Sequence, residues 1–279
     1  MDSRPKITAI VVTCNEAKKL EGCLRALRWC DQLIVVDLAS RDGSREIALR
    51  YADLVLDHPP SRVVEPVRLF AARHASHDWL LLMDPDEQMP EQLAEQIRDA
   101  LAAHPDAGGF RLPLWFYFKG KRLDGTYWGG GHRTFLRLIH RERCTLCVDV
   151  HRGIHLLHGY DERVIEPRQD NYVRHYWSQS YVDLLYQHMV RYAYLDAKSR
   201  YERGERFRLR RGIVHPLAEL KRSLKDFDGW RMGPRGWLLS GIYFLYTLGV
   251  AWMLLVAAFT RRPANAQSYV SPTESRKAA

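Results

Sequence analysis

The first hundred residues alternate between short apolar runs and longer amphipathic segments. Four runs are almost purely apolar, which is typical of strands buried on both faces of a parallel sheet: 7–13, 33–36, 54–56 and 79–83. Apolar residues at helical spacing follow each run and predict helices, among them one from Pro66 to Ala75 and one over about 91–104. This alternation predicts an α/β fold with a mostly parallel, Rossmann-like sheet and helices on both faces.

Short polar clusters stand directly behind three of these runs. Since ligands of such sheets bind beyond the carboxyl ends of the strands, these residues are candidates for binding. They are Thr13, Asn15, Glu16, Asp37, Ser40, Asp42, Asp84 and Asp86. Two acids at i and i+2, such as Asp84 and Asp86, can share a divalent cation that keeps open positions for substrate phosphates. The alternative is a polar loop leading into the helix after Pro90, and Glu87 receives no role because a helix-leading acid explains it.

The pattern becomes irregular beyond residue 104. Two alternating runs, 109–112 and 135–139, predict strands, and a glycine-rich loop over 128–133 lies between them. Arg133 in that loop is able to meet a phosphate, although a plain hairpin loop explains the segment as well. A long helix is predicted from Ser180 to Arg203, with an aromatic stripe that suits packing.

The segment 236–260 contains no charged residue over 25 positions. About 20 apolar residues span a bilayer core, so this length suffices for a membrane-associated or transmembrane helix. Arginines flank both ends, and the larger basic excess lies on the N-terminal side, which would keep the preceding part cytoplasmic. This segment could cross the membrane, enter and leave it on one side, lie in the plane of its surface, or be buried in a soluble domain.

Net charge sharpens this picture. The chain of 279 residues carries a formal charge of +9, which predicts attraction to a polyanion. Much of the excess lies at 203–235, just ahead of the apolar segment, and no aromatic-basic reading module accompanies it. A membrane surface is therefore the expected partner, and nucleic acid is not. An odd number of cysteines behind a polar N-terminal segment predicts a reducing, cytoplasmic compartment.

Three motifs occur in order: Val-Thr-Cys-Asn-Glu at 12–16, Ile-Val-Val-Asp-Leu-Ala-Ser-Arg-Asp-Gly-Ser at 34–44, and Asp-Pro-Asp-Glu at 84–87. Together they resemble the inverting family-2 glycosyltransferases of the GT-A fold, in particular the bacterial lipopolysaccharide-core glucosyltransferase-like group. A weaker likeness at Arg137, around Val150-His151 and around Tyr192 extends into the second half.

The resemblance implies a role for each matching residue. The nucleotide-sugar-binding set would be Thr13, Asn15, Glu16, Asp37, Ser40, Asp42 and Asp84. Asp37 would approach the base or ribose, and Asp84 the ribose and diphosphate. Asp86, with Asp84 as a second candidate, would hold Mg²⁺ or Mn²⁺ against the diphosphate.

The acceptor side departs from the family pattern. Arg152 stands where the family often has the glutamate of Val-His-Glu, and arginine cannot act as a base near neutral pH. Asp149 and His151 are the candidate catalytic residues. Alternatively the acceptor is a polyprenyl phosphate, an anionic nucleophile that needs no base. Arg133, Arg137 and Arg152 are the candidate contacts to acceptor or phosphate.

These observations predict a division into a GT-A catalytic domain at 1–170, a helical basic region at 171–235, the membrane-associated helix at 236–260 and a disordered tail at 261–279. The expected function is inverting transfer of a sugar, with a UDP-sugar as the expected donor, to a lipid-linked or lipopolysaccharide acceptor in cell-envelope synthesis. The expected location is the cytoplasmic face of the inner membrane.

Two other functions compete with this hypothesis. A sugar-phosphate nucleotidyltransferase would need a glycine-rich phosphate loop after the first strand, and 13–16 contains no glycine. A non-catalytic, basic, membrane-bound scaffold would bind no nucleotide.

Overall fold

The N-terminal part builds the strands and helices that the apolar pattern predicts. The computed structural model describes residues 4–61, 63–129, 133–146, 154–168 and 170–259. The first elements are β1 (Ile7–Thr13), α1 (Ala17–Ala26), β2 (Gln32–Asp37), α2 (Ser44–Tyr51), β3 (Leu54–Asp57), α3 (Glu65–Ala72) and β4 (Trp79–Met83). All seven residues of β1 and all five of β4 are buried, as uniformly apolar central strands require.

The second part of the chain adds strands and one further helix to this unit. They are β5 (Glu87–Gln88), α4 (Glu91–Ala103), β6 (Gly109–Phe118), β7 (Lys121–Arg122), β8 (Thr134–His140), β9 (Cys144–Leu146), β10 (Ile154–Leu156), β11 (Glu162–Val164) and β12 (Val173–Ser178). The strand predicted over 109–112 therefore continues to Phe118, because the side chains of Leu114, Phe116 and Phe118 also pack into the core.

Ten strands form one sheet in the order β3-β2-β1-β4-β8-β6-β12-β5, with β7 and β11 paired to β6. The first four strands in this order are parallel, and β8 then pairs antiparallel with both β4 and β6. Strand β12 runs parallel to β6 and antiparallel to β5. Hydrophobic clusters cover both faces of the sheet, one including α1 and α4 and the other α3. The predicted α/β architecture is confirmed.

Helices follow the sheet. A continuous helical stretch comprises α5 (Tyr181–Tyr186), a π-helical segment (Gln187–Tyr192) and α6 (Ala193–Glu202), where the sequence predicts one long helix. Helix α7 (Leu209–Lys221) is followed by a π-helical segment (Arg222–Asp226), a 3-10 turn (Gly229–Met232) and the 26-residue α8 (Pro234–Phe259). Helix α8 contacts both α6 and α7. The sheet extends past residue 170 through β12, while the predicted division into four regions stays a prediction.

Within the described residues, α8 is the single helix that is long and apolar enough to cross a membrane, over Pro234–Ala257. About 39% of its most apolar window is buried inside the protein. Leu239 and Ile242 pack in the core, whereas Trp237 and Trp252 are exposed. The helix therefore has an inward face and an outward apolar face.

Several predictions fall on residues outside the described ranges. They concern the candidate catalytic residues Asp149 and His151, the phosphate contact Arg152, and the tail at 261–279.

Candidate donor site

The parallel pairing of β2, β1 and β4 brings the predicted polar residues to one sheet edge. Thr13, the last residue of β1, lies in register with Asp37, the last residue of β2. Asp84 follows the last residue of β4, which is the next strand of the sheet. Strand ends that are far apart in sequence therefore meet, as expected for an α/β sheet.

The loops after β1 and β2 are tied together by hydrogen bonds between the predicted residues. The Asn15 amide N–H donates to Ser40 Oγ at 2.9 Å, and the Asn15 side-chain oxygen accepts from the Arg41 amide at 2.7 Å. The Ser40 amide in turn donates to Asp37 Oδ2 at 3.0 Å. Asn15 has a left-handed backbone, with φ of 57°, a conformation that asparagine tolerates better than most residues. Asn15 and Ser40 thus hold the rim of the site in shape.

Asp42 fixes the start of the neighbouring helix α1. Its Oδ1 accepts from Ser44 Oγ at 2.6 Å, and its Oδ2 accepts from the Ala17 amide at 3.0 Å. The Ser44 hydrogen bond, followed by that from Ala17, lowers the pKa of Asp42. Burial raises the pKa of Glu16, although Lys19 opposes the change. Both acids stand at the rim, where the resemblance places the nucleotide.

Thr13 and Asp37 present unpaired polar atoms in the floor of the site. Each residue is 1% exposed. Thr13 Oγ1 and Asp37 Oδ1 have no hydrogen-bond partner among the described residues. Because buried polar atoms are nearly always paired, these two atoms are suited to meet a ligand.

Two arginines hold the carboxylate of Asp84. Its Oδ1 accepts from Arg68 Nη2 at 2.6 Å and its Oδ2 from Arg137 Nη2 at 3.1 Å. Burial alone would raise the pKa of Asp84, but Arg137 and Arg68 outweigh it and hold the pKa well below its usual range. Asp84 is therefore ionised, and both of its oxygens have cationic partners. Its predicted role as a metal ligand stays a prediction.

Glu87 is the residue of this cluster that the sequence left without a role. It is fully buried, accepts a hydrogen bond from the Asp84 amide at 2.9 Å, and forms an ion pair with Arg137 Nη2. Burial raises the pKa of Glu87, and Arg137 partly offsets that rise. Burial opposes the charge of Arg137, yet Glu87 and Asp84 keep its pKa above the ordinary value. Glu87 and Arg137 together support the loop that carries Asp84 and Asp86.

Asp86 lies between Lys19 and His175. Lys19 Nζ is 3.4 Å from Asp86 Oδ2, and His175 Nε2 is 3.3 Å from Asp86 Oδ1. Burial would lower the pKa of His175, but Asp86 outweighs it and raises the pKa. The imidazole of His175 stacks on the ring of Phe116, with centroids 4.7 Å apart. No local motif marks His175, because only the pairing of β12 with β5 brings it to Asp86.

The side-chain atoms at Asp86 and His175 suit a divalent ion whose remaining ligands come from the substrate and water. Asp86 Oδ1 and His175 Nε2 lie 3.3 Å apart, so both atoms would contact a divalent ion that replaced their direct interaction. Among the described residues, no three His, Cys, Asp or Glu side chains form a metal-binding group. Mg²⁺ at phosphate sites usually has one or two protein carboxylates and takes its remaining ligands from phosphate and water. Asp86 would hold the metal, and His175 would be a second ligand after releasing its proton on metal binding.

A cleft of about 760 Å³ begins at this cluster and extends toward the C-terminal helices. His175, the partner of Asp86, is one of its lining residues, and so is Arg133. The Arg133 guanidinium lies 4.2 Å from the centroid of the Tyr127 ring. Arg137 is directed instead to Asp84 and Glu87, and its predicted contact to an acceptor stays a prediction.

Comparison with known proteins gives relatives for the first half of the chain. The family model described as "Glycosyl transferase family 2" matches residues 8–141. The lipopolysaccharide core biosynthesis glycosyltransferase LpsC of Rhizobium meliloti (strain 1021) is 29% identical over 154 residues, which are 53% of this chain and 56% of that protein. An uncharacterized glycosyltransferase of Rickettsia felis is 31% identical over 100 residues, 36% of this chain and 35% of the relative. The matches thus span about half of these relatives or less.

Similar solved structures share less sequence. Mannosyltransferase PcManGT from Pyrobaculum calidifontis, in complex with GDP-Man and Mn²⁺, has a TM-score of 0.43 and 17% identity over 94% of this chain and 77% of its own. S. aureus TarS 1–349, in complex with UDP-GlcNAc, has a TM-score of 0.34 and 24% identity over 40% of this chain and 35% of its own. The family assignment rests on the family model and on LpsC. The predicted family is confirmed for this segment: residues 8–141 form a domain of glycosyl transferase family 2.

Proposed function

We propose that this protein transfers a sugar, with inversion, from a nucleotide diphosphate sugar to a lipid-linked acceptor in cell-envelope glycan synthesis. The observation that carries the proposal is the placement of Thr13, Asp37, Asp84 and Asp86 at one edge of the family-2 domain. The likeness to a lipopolysaccharide-core enzyme supports the cell-envelope assignment. A UDP-sugar is the proposed donor.

Thr13 and Asp37, at the floor of the site, bind the donor nucleotide, and the loops at its rim surround it. Asp37 Oδ1 and Thr13 Oγ1 are buried and unpaired among the described residues, so a base or ribose can supply their partners. A neutral ligand hydrogen-bonded to the Asp37 carboxylate gains a charge-assisted interaction. Asn15, Ser40 and Asp42 keep the surrounding loops in position.

Departure of the nucleotide diphosphate needs stabilisation of negative charge. A divalent metal at Asp86 and His175 would supply a Lewis acid that neutralises this charge. Lys19 lies 3.4 Å from Asp86, so its ammonium group is placed to pair with a phosphate oxygen. Arg68 and Arg137 keep Asp84 ionised and fixed beside this position.

The acceptor is proposed to be presented at a membrane. Helix α8 exposes apolar side chains that include Trp237, Leu238 and Trp252, and the basic helix α7 packs against α8. Tryptophan and arginine at the edge of an apolar surface favour the membrane interface, and the cytoplasmic leaflet attracts basic segments. This arrangement supports association with the cytoplasmic face of the membrane.

Substitution of Asp86 tests the proposal. In detergent or nanodiscs, Asp86→Asn should lower metal-dependent donor hydrolysis and transfer by about 100-fold or more, since removal of one electrostatic contact to a transition state costs that much. A panel of radiolabelled nucleotide sugars, incubated with membrane lipid extract and separated by organic extraction, measures transfer. The matched control is Asp99→Asn, an exposed acid of α4, which should leave the rate unchanged.

Two results would overturn the proposal. Full metal-dependent transfer by Asp86→Asn would refute the mechanism. Absence of thermal stabilisation by UDP and Mn²⁺ would favour the non-catalytic scaffold instead, because a ligand that binds only the folded protein raises its unfolding temperature.

A further inference from the structure

The cleft that begins at His175 is built mainly from residues beyond the family-2 segment. Its far wall consists of side chains from α6, α7 and α8 and from the loop between α6 and α7. The family model ends at residue 141, so this wall is not part of the shared domain. A volume of about 760 Å³ lies within the usual range for small-molecule sites and is large enough for more than one sugar ring.

The α7 side of the cleft is strongly basic. Its lining includes Arg206, Arg208 and Arg211, and the one carboxylate in the lining is that of Glu205. Within the ranges that the structure describes, no carboxylate lies within 4.0 Å of these three guanidinium groups. Arg200, by contrast, is paired with Asp196 at 2.9 Å. Arg206 donates from Nη1 to the backbone carbonyls of Tyr201 and Glu205. Its remaining donors and the exposed guanidinium groups of Arg208 and Arg211 favour binding of a phosphate.

The opposite, sheet side of the cleft is aromatic. Trp128, which is 6% exposed, packs against the half-buried Trp177 with ring centroids 4.8 Å apart and ring planes tilted by 51°. Trp177 contacts Phe116, which stacks on His175, the partner of Asp86. Aromatic rings offer flat apolar faces with polar edges, the kind of surface that packs against the C–H face of a sugar. The aromatic part of the cleft is thus next to the proposed donor metal ligands.

A third wall is apolar and comes from α8. Val250 and Ala251 line the cleft, and Leu254 lies one turn further along this helix. Leu209, Ile213 and Leu217 of α7 are spaced four residues apart and are all more than half exposed. This exposed stripe of α7 faces away from the lining residues Arg211, Gly212 and His215, so the apolar surface inside the cleft is that of α8.

We propose that this cleft is the acceptor site and that it takes a phosphorylated glycolipid. Arg206, Arg208 and Arg211 bind the phosphate, while Trp128 and Trp177 hold the sugar whose hydroxyl attacks the donor. The inference rests on the proposed function, because it names the acceptor of that reaction. The phosphate is a binding group here and not the nucleophile, since Arg211 lies on α7 and Arg206 and Arg208 lie in the loop before it, whereas the donor cluster lies at the sheet edge.

Binding of three octyl probes tests the assignment in the absence of donor. The probes are octyl 6-phosphoglucoside, octyl glucoside and octyl phosphate, each below its critical micelle concentration, and isothermal titration calorimetry measures their affinities. The phosphoglucoside should bind at least about tenfold more tightly than either other probe, as expected from charge-assisted hydrogen bonds. The double variant Arg208→Gln/Arg211→Gln should lose this advantage. Arg210→Gln, an exposed neighbour on α7 outside the lining, is the matched control and should retain it.

A second pair of variants tests the apolar wall. Ala251→Phe fills the cleft and should weaken the phosphoglucoside by at least about tenfold, whereas Leu248→Phe on the outer face of α8 should not. In transfer assays the arginine variants should raise KM for the acceptor and leave kcat nearly unchanged, because they lie away from the reacting atoms.

Each outcome separates the cleft from the donor site. The double arginine variant should still be stabilised by UDP and Mn²⁺, because its donor site is intact. If UDP and Mn²⁺ fail to stabilise the wild type, that result counts against the proposed function and not against the cleft. Equal binding of the phosphoglucoside by wild type and double variant would refute the cleft assignment. If octyl phosphate binds as tightly as the phosphoglucoside, the cleft does not recognise the sugar. The assignment of a phosphorylated glycolipid would then be wrong, and a lipid phosphate would be the expected nucleophile.

Discussion

Glu87 gives the sharpest test of the structure, because the sequence explains it as an ordinary acid before a helix. Its side chain is 0% exposed and is bonded to Arg137 and to the Asp84 amide. Removal of one partner from a buried ion pair costs about 3–5 kcal/mol, since the other charge stays buried. Arg137 keeps Asp84 as a second partner, so Glu87→Ala should cost about 3 kcal/mol, at the lower end of that range.

The conservative variant Glu87→Gln separates charge from hydrogen bonding. Glutamine retains a neutral acceptor for the Asp84 amide, so the expected loss is roughly 1.5 kcal/mol, the value of a hydrogen bond to a charged group. For a chain of this size, each kcal/mol lost from the free energy of unfolding lowers the thermal unfolding midpoint by about 2–4 °C. We therefore expect decreases of about 6–12 °C for Glu87→Ala and about 3–6 °C for Glu87→Gln.

Thermal unfolding in a single detergent measures both variants. The matched control is Glu91→Ala, an exposed acid in the first turn of α4, whose loss should move the midpoint by less than about 2 °C because a surface charge at a helix N-terminus contributes little. Equal midpoints for Glu87→Ala and Glu91→Ala would refute the buried network and restore the sequence-based explanation of Glu87.

Two further changes test the nucleotide floor and the membrane face. Asp37→Asn should weaken UDP binding at least about tenfold in a calorimetric titration, because the unpaired buried oxygen is expected to contact the ligand. The thermal unfolding midpoint should change little. Unchanged affinity would exclude Asp37 from the site. Trp237→Ser/Trp252→Ser, at side chains 58% and 63% exposed, should reduce co-flotation with anionic vesicles at least about fivefold. Val182→Ser, on exposed α5, should not reduce it, and equal flotation of all three proteins would show that α8 does not contact the bilayer.

The sequence determined the elements that a uniform local pattern encodes. Strands β1 and β4 begin and end where their apolar runs predict, because central parallel strands are buried on both faces and tolerate few polar residues. Thr13, Asp37 and Asp84 could be placed at one edge for the same reason, since successive parallel strands end on the same side. The uncharged run at 236–260 likewise predicted helix α8.

Only the tertiary structure decided which partners these residues meet. Arg137 lies 50 positions from Glu87 along the chain, and the insertion of antiparallel β8 beside β4 brings them together. His175 reaches Asp86 through the pairing of β12 with β5, and the cleft beside it depends on how α7 and α8 pack. Local sequence periodicity does not predict such pairings. Which distant residues meet depends on strand order and helix packing, and these are set by the whole chain. The sequence could therefore locate the acids at the sheet edge, while only the fold placed Arg68, Arg137, His175 and the cleft around them.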